Sequence, residues 1–318
     1  MRIRIVTPAP PRSRHGNRVT ALRWAKLMRS LGHEVVVSQS YENQRCDVLV
    51  ALHARRSAPS IERFRERHPD APLVLALTGT DVYGDLAGDG LTPRSLDLAS
   101  ACVVLQPLAL DRLPAEVRTK TSVILQSAPA PPSTRTGRAR GFTAVVLAHL
   151  REVKDPRLAA EAVGLLHPAS TVKMVHMGAA LDDGMEAWAR AETGRNRRYE
   201  WRGEVPHRRA MRVLAQSRVM VLTSKAEGGA NALSEALAAG VPVLSSRIDG
   251  SVGILGEDYG GYFGAGRADE LAALLARAEE DGEFYGRLRT TCEALRPLVS
   301  PDRERQAWAD LLADLRYE

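Results

Sequence analysis

Two glutamates eight positions apart, Glu227 and Glu235, flank a glycine turn and a short helix in KAEGGANALSEALAAGVPVL (225–244). Gly228 and Gly229 let the chain turn tightly and leave backbone amides open at a helix N-terminus, where an anion such as a diphosphate is favoured. Asn231 and Glu235 are four apart, so both face one ligand along the same side of that helix. Glu227 precedes the helix and is expected at the same ligand. A pair of glutamates alone is weak, because a chain with 38 acidic residues produces such spacings by chance. The context strengthens it: the strand VMVLTS, the glycine turn, the helix, a stop at Gly240 and the strand VPVLSS follow in order. A second candidate is AHLREVKDP (148–156), a strand end carrying His149, Arg151 and Lys154. A third is PRSRHGNR (11–18), which sets Arg12, Arg14, His15 and Arg18 around the single glycine Gly16, directly after the first strand.

These stretches sit in a repeating pattern. Strands are expected at RIRIVT (2–7), EVVVS (34–38), DVLVAL (47–52), LVLAL (73–77), CVVLQ (102–106) and TSVILQ (121–126). A helix over 18–31 shows Leu22, Ala25, Met28 and Leu31 on one face and stops at Gly32. Most of these strands are apolar throughout rather than alternating, as in parallel sheets covered on both faces. The run SAPAPPSTRTGRARG (127–141) then breaks any regular element. After it the pattern restarts at FTAVVLAHL (142–150), with helices over 156–166, 183–194, 206–216 and 231–239. The strands between them are TVKMVHM (171–177), RYEWRG (198–203), VMVLTS (219–224) and VPVLSS (241–246). Three helical stretches, 267–280, 283–296 and 301–316, close the chain. The expected organisation is a first α/β domain over 1–130, a linker over 131–141 and a second α/β domain over 142–300. A last helix within 301–318 would cross back to the first. Two doubly wound halves place a ligand cleft at the carboxyl edges of their sheets.

The chain has 318 residues, 44% of them apolar, enough for a substantial core. The net charge of +6 permits anionic partners, but the arginines are scattered and no nucleic-acid-binding signature occurs. Three cysteines, Cys46, Cys102 and Cys292, are too few and too far apart for a disulfide framework or a zinc site. No stretch approaches the ~18 apolar residues of a membrane span, and MRIRIVTPAP lacks the apolar core of a signal peptide. A reduced, cytoplasmic protein is expected, without stable membrane insertion and without nucleic acid.

The segment 225–244 resembles the E-x7-E region of the retaining GT-B glycosyltransferases called family 4. The resemblance implies two Rossmann-like domains facing each other across a cleft. It implies that Glu227 binds donor-sugar hydroxyls and Glu235 the nucleotide ribose. Between them Gly228, Gly229, Ala230, Asn231, Leu233 and Ser234 would line the sugar and phosphates, chiefly through backbone amides. Lys154 matches the lysine that neutralises the donor diphosphate in that family. The partner arginine's place falls on His149, and the cation role passes to Arg151; the alternative packs His149 under the sheet and leaves Arg151 in water. WRGEV (201–205) matches the turn that cradles the base, with Gly203 giving close approach, or it is a simple turn. No DxD pair stands where a metal-dependent sugar transferase uses one, so neither metal nor cofactor is expected. The similarity covers about 143–264.

The first half, through PAPPRSRHGNRVTALRW, LTGTDVYGD (77–85) and LQPLALDRLP (105–114), resembles one branch more closely, the selenosugar synthases of selenoneine biosynthesis. That resemblance implies a UDP-sugar donor, typically UDP-N-acetylglucosamine, and a selenophosphate acceptor. Arginine forks suit tetrahedral oxyanions, so Arg12, Arg14, His15 and Arg18 become the acceptor's anion site. Not all four can point inward. Gly16 and Asn17 would offer the helix N-terminus to phosphate. Thr80 would touch the acceptor, and Asp81 either serves as a base or caps a helix. The competing expectations are a family 4 enzyme with a hydroxyl or lipid-linked acceptor, a GT-B-fold UDP-sugar epimerase, and a non-catalytic nucleotide-sugar binder.

Overall fold

The computed structural model describes residues 1–79, 81–84, 90–131 and 141–315. Thr80, the centre of the expected linker and the last three residues lie outside that set. The chain divides into two compact units, 1–127 with 301–318, and 128–300.

The first unit contains β1 (Arg2–Val6), α1 (Gly16–Ser30), β2 (Glu34–Ser38), β3 (Val48–Leu52), α2 (Ala54–Arg67), β4 (Leu73–Leu77), α3 (Leu91–Leu98), β5 (Ala101–Val104), α4 (Ala115–Arg118) and β6 (Thr121–Val123). Its sheet runs β2-β1-β3-β4-β5-β6, and the pairs are parallel. In β3 and β4 every side chain is buried, which is why these strands read as unbroken apolar runs. Two core layers cover the two sheet faces. One holds Ile3, Ile5, Val48, Val50 and Val74 against Trp24, Ala25 and Met28 of α1. The other gathers Val6, Leu49, Leu75 and Cys102 around Ile61 and Phe64 of α2. α2 carries Pro59 inside it, and that breaker masks the helix in the sequence.

The core face of α1 differs from the expected one. Ala21, Trp24, Ala25 and Met28 are buried, whereas Leu22 is 48% exposed. The phase is set by Trp24, the largest side chain available to the core.

The second unit contains β7 (Phe142–Leu147), α5 (Pro156–Gly164), β8 (Val172–Met177), α6 (Met185–Arg195), β9 (Tyr199–Trp201), α7 (His207–Gln216), β10 (Val219–Leu222), α8 (Asn231–Ala239), β11 (Val243–Ser246), α9 (Asp249–Leu255), β12 (Tyr262–Phe263), α10 (Ala268–Glu280) and α11 (Gly282–Leu295). Its sheet runs β12-β11-β10-β7-β8-β9, again parallel. Gly240, left-handed at φ +67°, ends α8 and turns the chain into β11.

The final helix, α12 (Pro301–Asp314), packs in the first unit, with Trp308 edge-on to Trp24 at 4.7 Å between ring centroids. Its Glu304, 2% exposed, accepts from Trp24 Nε1 at 2.7 Å, from Arg23 Nε at 3.0 Å and from the Ser127 amide at 3.0 Å, and also from the Ser127 hydroxyl. One enclosed carboxylate thus ties α12 to α1 and to the end of the first unit. A second enclosed polar group, His176 on β8, donates Nε2–H to the Ala148 carbonyl at 3.0 Å and accepts the Tyr199 hydroxyl on Nδ1 at 2.9 Å. Burial pushes its imidazole down to about 4, from an ordinary 6.5.

Two outcomes follow from these groups. Glu304→Ala takes the acceptor from the buried Trp24 indole N–H and from the Ser127 amide, and is expected to cost the first unit about 3 kcal/mol, read as a lower midpoint in urea unfolding followed by tryptophan fluorescence. His176 is neutral when folded and takes up a proton more readily when unfolded. Its contribution, up to about 3 kcal/mol, is therefore complete above pH 6.5 and is lost as pH falls toward 4. Unfolding midpoints of wild type and His176→Gln across that range are expected to show a shallower loss in the variant.

Candidate functional site

The functional side chains of the second unit stand on loops leaving the C-terminal ends of β7 and β10. The β7 loop is fastened before it reaches them. Gly178 follows β8, and a Cβ there would lie 1.9 Å from the Ala148 carbonyl oxygen, so only glycine admits this approach. The Ala179 amide donates to His149 Nδ1 at 3.0 Å, and the Leu150 amide to the Ala179 carbonyl at 2.8 Å. His149 therefore holds the loop. Arg151 is exposed, with Nε 3.9 Å from Asp182 Oδ1, while Asp182 Oδ2 accepts the Glu152 amide at 2.6 Å.

Beyond this anchor, a short 3-10 turn at Glu152–Lys154 swings Lys154 toward the β10 loop. Its ammonium pairs with Glu227 Oε1, and the same oxygen accepts the Ser224 hydroxyl at 2.7 Å. The two loops are laced by backbone as well: the Thr223 hydroxyl donates to the Lys154 carbonyl at 2.7 Å, and the Lys225 amide to the Val153 carbonyl at 2.8 Å. Gly250 supports Glu227 from behind, where an added Cβ would sit 2.2 Å from the Glu227 carbonyl oxygen. Glu227 keeps 10% of its side chain exposed and Lys154 26%, so the pair is reachable yet partly desolvated.

α8 begins four residues after Glu227. Its N-cap, Ala230, has no side chain that could accept from the first-turn amides, and the first turn holds no acid. The positive end of the helix is left for an anion. Leu233 and Ser234 are buried on the inner side of that turn, and the Ser234 hydroxyl has no hydrogen-bond partner. Gly228 is buried, and Gly229 and Asn231 are half-buried beside it. Glu235, one turn further on, receives His207 Nε2 from the start of α7 at 2.8 Å. Gly203 takes a left-handed φ of +67° after β9, and its carbonyl accepts the Gly178 amide at 2.9 Å. The structure thus gathers Lys154, Glu227, the α8 N-terminus and Glu235 in one unit. Sequence reasoning missed Gly178, His176, Asp182, Ser224, His207 and Gly250; of these, Gly178 left a signal, a glycine directly after a strand.

In the first unit, the loop after β1 carries Arg12 at φ +65° and exposed, Arg14 exposed, and His15 half-buried as the N-cap of α1. Gly16 and Asn17 form the first helical positions, Gly16 exposed. Arg18 differs from its neighbours: its Nε and Nη1 are fully enclosed and have no hydrogen-bond partner. Thr80 falls outside the described residues. Asp81 is fully enclosed, and its oxygens accept the Gly79 amide at 2.7 Å and the Ala54 amide at 3.1 Å, with His53 Nδ1 3.8 Å away. Burial raises its carboxyl despite His53 and those amides. This placement makes Asp81 the residue that closes the turn before α2 rather than a base open to substrate. Among the described residues, no group of three or more His, Cys, Asp or Glu is arranged to hold a metal ion, and no helix is long and apolar enough to cross a membrane.

Residues 138–293 match the family described as glycosyl transferases group 1. No curated protein matches the chain. Among solved structures, Anabaena HepE in complex with UDP-glucose superposes with a TM-score of 0.79 at 16% identity, covering 99% of this chain and 100% of that one. The sucrose-phosphate synthase of Thermosynechococcus elongatus gives 0.76 at 14% identity, covering 99% of each chain. An E. coli structure described as trehalose-6-phosphate bound with UDP-2-fluoro glucose gives 0.73 at 11% identity, again covering 99% of each. Two parallel six-stranded sheets with flanking helices are the GT-B fold of these structures.

Proposed function

We propose that the chain transfers a sugar from a UDP-sugar, with its donor held in the second unit by the α8 N-terminus, Lys154, Glu227 and Glu235. The observation that carries this reading is the Lys154–Glu227 pair beside a helix start whose cap offers no side-chain acceptor. A diphosphate satisfies that helix end and the ammonium together. Glu227 is then freed to accept from sugar hydroxyls, and Glu235 accepts from the ribose. Solved relatives in complex with UDP-glucose and UDP support the choice of donor.

The transition state is oxocarbenium-like, and charge develops on the β-phosphate as the bond to the anomeric carbon breaks. Lys154, Arg151 and the amides at 229–231 stabilise that charge in place, which is electrostatic preorganisation. No covalent step is required of the protein.

The acceptor is selenophosphate, giving a 1-seleno sugar from UDP-N-acetylglucosamine. Of Arg12, Arg14, His15 and Arg18, the partly enclosed Arg18 supplies the cation to its oxyanions, beside Gly16 and Asn17 at the start of α1, while Arg12 and Arg14 stay exposed. Selenium attacks the anomeric carbon and UDP departs. Water then cleaves the selenium–phosphorus bond, releasing phosphate. The cations at the start of α1 support this reading, because a neutral hydroxyl acceptor needs none of them.

The test is UDP release by the purified chain with UDP-N-acetylglucosamine and other UDP-sugars, offered selenophosphate, thiophosphate, phosphate or nothing, with mass analysis of products. Selenophosphate-dependent release with a new selenium-bearing sugar is the expected result. Acceptor-free turnover of the donor would replace it with an epimerase, and release only with hydroxyl acceptors would move the acceptor class. Lys154→Met is expected to lower kcat by about 100-fold or more, the size of losing one preorganised donor to a developing oxyanion. Gly250→Ala displaces Glu227 without touching substrate, and is expected to lower kcat/KM by about 100-fold with the fold retained by circular dichroism.

A further inference from the structure

Thr7 Oγ1, Thr78 Oγ1, Gln126 Oε1 and Arg18 Nε and Nη1 are all enclosed and all lack a hydrogen-bond partner. Thr7 is 0% exposed, Gln126 3% and Thr78 9%. Orphaned buried polar groups are rare and individually costly, and these four residues belong to the same unit.

They also belong to the same layer of it. Ile3 and Ile5 of β1, Val74 and Ala76 of β4, and Ile124 after β6 share one core cluster with Ala21, Ala25 and Met28 of α1. Side chains alternate along an extended chain. Thr7 therefore continues the Ile3/Ile5 row past the end of β1, and Thr78 the Val74/Ala76 row past the end of β4. Arg18 precedes Ala21 and Ala25 by one and two turns, on the helix face that covers this layer. The β1 and β4 rows are separated only by β3, and the strand register sets Thr7 level with Ala76; Thr78 lies two residues further on, so the two threonine Cα atoms stand about 12 Å apart, at the carboxyl edge beneath the first turn of α1. Gln126 joins the rim through its Nε2, which donates to Thr20 Oγ1 of α1 at 3.1 Å.

We propose that Arg18, Thr7 and Thr78 form an oxyanion pocket in the first unit that takes a tetrahedral anion of the phosphate class. One guanidinium and two hydroxyl donors suit an anion with several oxygens, and charge-assisted bonds to it satisfy the orphaned donors of Arg18, Thr7 and Thr78. Arg18, and neither Arg12 nor Arg14, is then the residue that selects a phosphorylated acceptor over a neutral one. That this anion is the acceptor's rests on the glycosyltransferase reading; the pocket itself does not.

The experiment is calorimetric titration of inorganic phosphate and of thiophosphate into the full chain, with UDP titrated in parallel. Wild type is expected to bind these anions saturably. Arg18→Met is expected to weaken them by about 10-fold or more, and Thr7→Val and Thr78→Val by about 3-fold or more each. Arg12→Met and Arg14→Met are expected to bind as wild type, and UDP affinity to stay unchanged throughout. Without ligand, Arg18→Met is expected to raise the melting temperature, because it removes two enclosed N–H donors that have no partner. Absence of saturable anion binding by wild type, anion binding by Arg18→Met at wild-type strength, or a lower melting temperature for that variant would overturn the pocket. Should Arg18→Met not fold, that failure counts as the lower melting temperature. Intact phosphate binding with no UDP binding supports the pocket and strikes only the glycosyltransferase reading.

Discussion

The ammonium of Lys154 against the carboxylate of Glu227 joins two loops whose residues are 73 positions apart. Neither side chain would stay in place alone. Lys154 reaches Glu227 because the β7 loop is pinned through Gly178, His149 and the enclosed His176, and Glu227 is held because Gly250 leaves room for its carbonyl. The pair is partly withdrawn from water, which strengthens the attraction and makes either partner costly to leave alone. It also means that a ligand entering here meets a cation already aimed and a carboxylate already oriented.

Among the described residues, most of the enclosed polar atoms that lack a partner lie in the first unit, with Ser234 in the second. In the second, Glu227 is paired to Lys154 and Ser224, and Glu235 to His207. In the first, Glu304 is saturated by Arg23, Trp24 and Ser127, and Asp81 by two amides, yet Arg18, Thr7 and Thr78 are left wanting. Saturated groups rigidify a fold; unsatisfied ones store a cost that a ligand can remove. The contrast separates Arg18 from Arg12 and Arg14, which face water on the same loop.

The strands were legible because both faces of each sheet are covered, so β3, β4, β10 and β11 appear as uninterrupted apolar or small-residue runs. α8 was legible from its glycine turn and its Gly240 stop. Helix phase was less so: Leu22 fits the apolar stripe of α1 on paper, but Trp24 claims the core and leaves Leu22 in water. α2 was hidden by Pro59. Of the candidate site, residue types and strand-end positions could be read, but not which side chains meet. That depends on close backbone approaches at Gly178 and Gly250, and a glycine in sequence does not announce what presses against it. Asp81 shows the limit from the other side, since a carboxylate after a strand looks the same whether it caps a turn or faces a substrate.

The most direct test of donor binding in the second unit is amide hydrogen exchange of the full chain with and without UDP. Added protection is expected in peptides covering 228–233, at the start of α8, and 151–155, around Lys154, with the loop after β1 unchanged by UDP alone. Protection absent from both segments, or confined to other parts of the second unit, would contradict it.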